Sequence, residues 1–147
     1  MVEGGQEIGS PGGMKLRFVR TGAETDGELL EMEATYSGDG GMPPTHLHPR
    51  QAERFEVIEG AVRAIIGDQE RVFETGQSFE VPVGTPHQMG AERPTRMRWE
   101  VRPALRTAEF FERLYGEGPD GSTSSRPNTL SGDGRDTSQG GNLRAPR

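Results

Sequence analysis

The fold is decided by residues 40–60, GGMPPTHLHPRQAERFEVIEG, read together with residues 76–89, GQSFEVPVGTPHQM. The first stretch carries His46, His48 and, five residues on, Glu53; the second carries His87, which completes the 3 histidines of this 147-residue chain. Residues two apart on a strand project to the same face, so His46 and His48 can aim both imidazoles at one point. Glu53 stands at an odd separation from His48, and an unbroken strand would turn it away. Pro49 and the following Arg50-Gln51-Ala52 allow a break that resets the phase. Beyond it, Glu53, Phe55 and Val57 share one face, with Arg54 and Glu56 on the other. In the second stretch Thr85, His87 and Met89 alternate with Pro86 and Gln88, so His87 shares its face with apolar Met89. Three imidazoles and one carboxylate suit a single divalent first-row metal: Fe, Mn, Ni, Co, Cu or Zn.

The flanking sequence supplies short strands. Met14–Arg20 alternates Met14, Leu16 and Phe18 with Lys15 and Arg17, the pattern of a half-buried strand. Residues 28–36 repeat it, with Leu30, Met32, Ala34 and Tyr36 against Glu31, Glu33 and Thr35. Gly67-Asp68 between Ala61–Ile66 and residues 70–74 is a hairpin signal. Phe79 and Val81 alternate with Ser78 and Glu80. Thr95–Arg102 puts Met97, Trp99 and Val101 inward and Arg96, Arg98, Glu100 and Arg102 outward, a charged face that reads as solvated. Short alternating strands divided by turns predict an all-β antiparallel sandwich or barrel. The period then changes: Thr107–Tyr115 spaces Ala108, Phe111 and Leu114/Tyr115 at helical intervals, with Gly116 a C-cap. This helix is expected to pack on the outside of the barrel, with Phe110 and Phe111 in the core or an interface.

Composition bounds the rest. A single domain is expected at this length. A formal charge of −6 and a pI near 5.1 give no electrostatic footprint for nucleic acid or an anionic membrane. Cysteine is absent, which excludes disulfides, thiolate ligands and a thiol nucleophile. Nothing reads as a signal peptide or membrane span, so a cytoplasmic protein is expected. Residues 1–13 read as a disordered leader, 14–103 as the barrel, 104–115 as the helix and 116–147 as a disordered tail. The abrupt change after the helix fits native disorder and a truncated or frameshifted end alike.

The two histidine stretches resemble the paired motifs of the cupin family. The first motif is a glycine, five residues, H-x-H, four residues, a glutamate, six residues and a glycine, matched by Gly40, His46, His48, Glu53 and Gly60. The second is a glycine, five residues, P-x-G, two residues, a histidine, three residues and an asparagine. Gly76, Pro82, Gly84 and His87 match it, and Ala91 replaces the asparagine. The resemblance implies a jelly-roll barrel with His46, His48, Glu53 and His87 as metal ligands, and a homodimer. It also implies a role for Glu53 in catalysis, as a ligand that detaches and shuttles a proton. The alternation lays Phe55, Val57, Phe79, Val81 and Met89 along the pocket floor, which suits a small, partly apolar organic substrate and a dioxygenase like the quercetin dioxygenase-like cupins. A non-catalytic small-molecule binder, a structural metal cupin and a cupin isomerase are the alternatives.

Overall fold

The computed structural model describes residues 2–9 and 13–115. Its strands are β1 (Glu7–Gly9), β2 (Met14–Arg20), β3 (Leu30–Tyr36), β4 (Ala52–Glu59), β5 (Ala61–Ile66), β6 (Gln69–Glu74), β7 (Ser78–Val81), β8 (His87–Ala91) and β9 (Thr95–Arg102). One helix, α1 (Thr107–Tyr115), follows. A six-stranded sheet in the order β1-β2-β3-β9-β4-β7 faces a three-stranded sheet in the order β6-β5-β8. Every pairing is antiparallel. This is an all-β antiparallel arrangement, as the alternation predicts, and of the jelly-roll kind that the resemblance implies.

Strand register explains where the core lies. β4 pairs with β7 on one side and β9 on the other, so Phe79, Phe55 and Trp99 stand side by side across three strands. Their rings are stacked, at 5.0 Å for Phe55–Phe79 and 5.4 Å for Phe55–Trp99. Phe73 of the facing sheet extends the column, 4.3 Å from Phe79. Such offset aromatic contacts bury large area and add specific geometry. Leu16, Phe18, Leu30, Met32, Val57 and Met97 fill the space around them. The last glycine of the first motif is structural. Gly60 has φ of +111°, and a Cβ there would sit 2.3 Å from Thr95 Oγ1, so a side chain would be strained and would collide.

Two regions differ from expectation. The leader is not wholly unstructured: Glu7–Gly9 pair with β2, and Val2 and Ile8 are buried. A lone apolar residue in a three-residue strand leaves no period-2 pattern to read, yet Ile8 opposite Leu16 suffices to anchor an edge strand. The helix forms where its spacing predicts, but not against the barrel exterior. Phe111 is buried and meets Trp99 edge-on, with ring centroids 5.6 Å apart. Trp99 is a core residue, so α1 joins the core through Phe111. Gln51 pins the start of this helix, its Nε2 donating to Pro103 O, Ala104 O and Thr107 Oγ1 at 2.9, 3.2 and 2.8 Å. Gly116 and residues 117–147 lie outside the described residues. Among the described residues no helix is long and apolar enough to cross a membrane.

Candidate metal centre

The two histidine stretches are stitched together by backbone. His46 and His87 exchange both peptide hydrogen bonds, at 2.9 and 2.8 Å, and Gly84 N donates to His48 O at 2.8 Å. The P-x-G turn is thus tied to the H-x-H segment, and Gln88 Nε2 adds a bond to Pro43 O at 2.9 Å. A reciprocal antiparallel pair keeps both side chains on one side of the sheet. The result is a cluster in which His46, His48 and His87 each offer a ligand atom within 4.8 Å of the others. Ring centroids are 4.5 Å apart for His46–His87, 5.1 Å for His46–His48 and 5.5 Å for His48–His87. His48 and His87 are buried, whereas His46 is half-buried, so the cluster reaches solvent on the His46 side.

The hydrogen bonds fix two of the imidazole tautomers. His87 Nδ1 lies 2.9 Å from Thr85 O, and His46 Nδ1 lies 3.1 Å from Pro44 O. A carbonyl only accepts, so each Nδ1 carries a proton, and in the neutral ring each Nε2 presents a lone pair. This is the arrangement by which an outer partner orients a metal-binding histidine.

Glu53 borders this cluster from β4. Its Oε1 is 3.1 Å from His87 Nε2, and its Oε2 is 3.6 Å from His48 Nε2. Glu53 Oε1 and His87 Nε2 are both buried, and despite their closeness they are not aligned as a hydrogen bond. When the His87 ring is neutral, its Nε2 has no proton to donate, so two acceptors face each other in the interior. A buried polar atom left in that state is costly, and a cation between the two removes the cost. The spacing fits: ligand atoms about 2.1 Å from one metal stand roughly 3.0 Å apart at a right angle and roughly 3.4 Å apart at the tetrahedral angle. The donor set therefore fits a divalent metal. Glu53 is adjacent to two of the three histidines and is not a member of the three-histidine group itself.

The electrostatics of the protein groups favour positive charge beside Glu53. Burial alone would push the Glu53 carboxyl up. The His48 and His87 rings and the Trp99 N–H, which donates to Oε2 at 3.0 Å, hold it below the usual carboxylate range. Burial opposes the charged form of His87, but Glu53 and the Thr85 carbonyl outweigh it and raise the imidazole above its ordinary value. The site is built for one ionised carboxylate beside positive charge.

The expected pocket residues take different places. Phe55 and Val57 are fully buried in the core, and Val81 is 2 % exposed beside Glu53 in the β4–β7 register. Met89 is half-buried next to Ala64. Phe79 lines a cleft of about 280 Å³ between the β6 and β7 edges, with Ile66, Phe73 and Arg71 among its walls. Ile66 is the cross-strand partner of His87. Sequence alone places no cation there: Arg71 follows exposed residues, and only the β5–β6 register sets it opposite Ala64 with its guanidinium 4.8 Å over the Phe73 ring. Trp99 is legible as an inward residue, but not as the donor to Glu53.

Comparison with known proteins agrees with this geometry. Residues 32–101 match the family model described as a cupin domain. No curated protein sequence matches the chain. Among solved structures, KdgF from Halomonas sp. is similar with a TM-score of 0.61 at 18% identity, over 69% of this chain and 89% of that one. An RmlC-like cupin from Shewanella frigidimarina gives 0.58 at 21%, over 69% and 86%. Ectoine synthase from P. lautus gives 0.61 at 15%, over 74% and 77%. Likeness at these identities carries the fold and no more.

Proposed function

Residues 32–101 form a cupin domain, and from that premise we propose that the protein binds one divalent metal through His46, His48, His87 and Glu53 and acts there on a small organic molecule. The observation that carries this is the buried, unaligned approach of Glu53 Oε1 to His87 Nε2. The finer reading is a dioxygenase-type oxidoreductase taking a small, partly apolar substrate. A bound metal would supply Lewis-acid and redox chemistry at positions not filled by protein. The chain's own groups do the rest. His46 and His87 hold their lone pairs inward through Pro44 and Thr85, and Glu53 adds an ionised carboxylate beside them.

A second reading is favoured by the aromatic column. Phe55 and Val57 are fully buried in the core, which suits a non-catalytic binder or a metal that braces the fold. Elemental analysis of purified protein, then oxygen uptake over a flavonol and β-diketone panel, separates the readings. Bound metal with oxygen uptake supports the enzyme. Bound metal with no turnover, together with loss of folding on chelation, supports the structural role. Metal-free protein that resists loading with every first-row ion overturns both. On the family resemblance we further propose a homodimer, in contact through the N-terminal strand or the helix near half-buried Phe110. Light scattering that returns a monomer mass overturns it.

A further inference from the structure

The two oxygens of Glu53 are treated differently by their surroundings. Oε1 is buried, forms no hydrogen bond and points at His87 Nε2. Oε2 accepts the indole N–H of Trp99 at 3.0 Å in a buried contact. The indole is itself fixed from both sides, stacked on Phe55 and met edge-on by Phe111 of α1. Register sets this up: Glu53 pairs with Val101 and Phe55 with Trp99, so Trp99 lies one same-face step from the carboxylate on the neighbouring strand, within diagonal reach of a long side chain.

We propose that Trp99 is a positioning residue for the metal centre: its N–H occupies Glu53 Oε2, so the carboxylate presents Oε1 alone to the metal. The proposal rests on the metal-binding reading above. An indole N–H donates and never accepts, so this bond persists only while Oε2 stays an acceptor. A carboxylate free at both oxygens can chelate through both or swing out of the shell. Pinning one oxygen from the protein side opposes both movements. Glu53 then fills one coordination position rather than two, and one more remains for an outside ligand. The helix contributes through Phe111, which backs the indole.

The test uses Co²⁺ as the probe, added to metal-free protein and followed by its visible absorption, which reports both affinity and coordination. Trp99→Phe removes the donor and shrinks the ring. A second variant with 3-benzothienylalanine at position 99 keeps the ring shape and replaces the N–H with sulfur, so it stands if the Phe variant folds poorly. Each is expected to lose roughly 10- to 100-fold in Co²⁺ affinity, the usual cost of an outer-shell partner, and to change the absorption envelope as Glu53 is released. In a Glu53→Ala background the Trp99→Phe change is expected to add nothing, because the effect runs through the carboxylate. Wild-type affinity and spectrum in the benzothienyl variant overturn the proposal. An undiminished further loss in the Glu53→Ala background also overturns it, since Trp99 would then act through packing. Wild-type protein that binds no Co²⁺ overturns the metal reading itself, and is distinguished by that first arm.

Discussion

The six-stranded sheet carries glutamates on both faces, and the two faces use them in opposite ways. Outside, Glu33 joins Arg17 and Arg96 at 3.1 and 3.0 Å, and Glu31 joins Arg20 and Arg98 at 2.9 and 3.6 Å. Those arginines are 42–56% exposed. Inside, Glu53 stands alone among the core residues of β4, with two histidines and an indole as its neighbours. The outer pairs exchange water for each other at little net gain. The inner carboxylate has given up its water and must be held by fixed partners. A strand glutamate is thus informative by its face, not by its residue type.

Four experiments test this contrast. The largest effect is expected at the inner face. His87→Ala should strip most of the bound metal, exceeding the roughly 10- to 100-fold loss that follows removal of an outer-shell partner. Full occupancy by elemental analysis in that variant would falsify its role as a ligand. Phe55→Ala, at the centre of the stacked column, should cost about 3–5 kcal/mol in denaturant unfolding, with the site distorted as a result. A cost near that of a surface change would mean the column is not the core of the fold.

Third comes pH. In metal-free protein Glu53 is lowered from 4.5, so its contribution is present above that value and is lost as pH falls through its folded pKa. His87 is raised from 6.5, so its contribution is present below that value and is lost as pH rises through its folded pKa. Metal-free protein should therefore be most stable between about 4.5 and 6.5 and weaken above. Metal-bound protein should show the opposite slope there, because metal needs neutral imidazoles and is displaced by protons below roughly 6.5. Thermal melts of both forms across pH 4–8 check this, and parallel slopes would refute it. The smallest effect is expected outside: Arg96→Ala should change stability by less than about 1 kcal/mol and leave metal affinity unaltered. A larger loss would show that the outer network braces the site.

Most of this contrast is legible from sequence where a period is long enough to read. Met97, Trp99 and Val101 against Arg96, Arg98 and Glu100 state both faces of β9 at once, and H-x-H states two ligands on one side. Glu53 is reachable only by allowing Pro49 to break the strand, which the structure bears out in the gap between His48 and β4. Three features escape that kind of reading for one reason: they depend on which strand lies beside which. The Trp99–Glu53 bond needs the β4–β9 register, and the position of Arg71 in its cleft needs β5–β6. The Phe111–Trp99 contact needs the path the chain takes after β9. Ile8 escapes for a simpler reason, since three residues are too few to show alternation.

Trp99 is also the only tryptophan in the chain, which gives the molecule a built-in optical label. Its fluorescence comes from a single emitter one hydrogen bond from the candidate centre and one ring contact from α1. A paramagnetic ion held by the histidines should quench it, so binding can be followed without added dye or competing chelator. Release of α1 would instead admit water to the indole and move its emission to longer wavelength. Intensity and colour thus separate an event at the metal from an event at the helix within one spectrum.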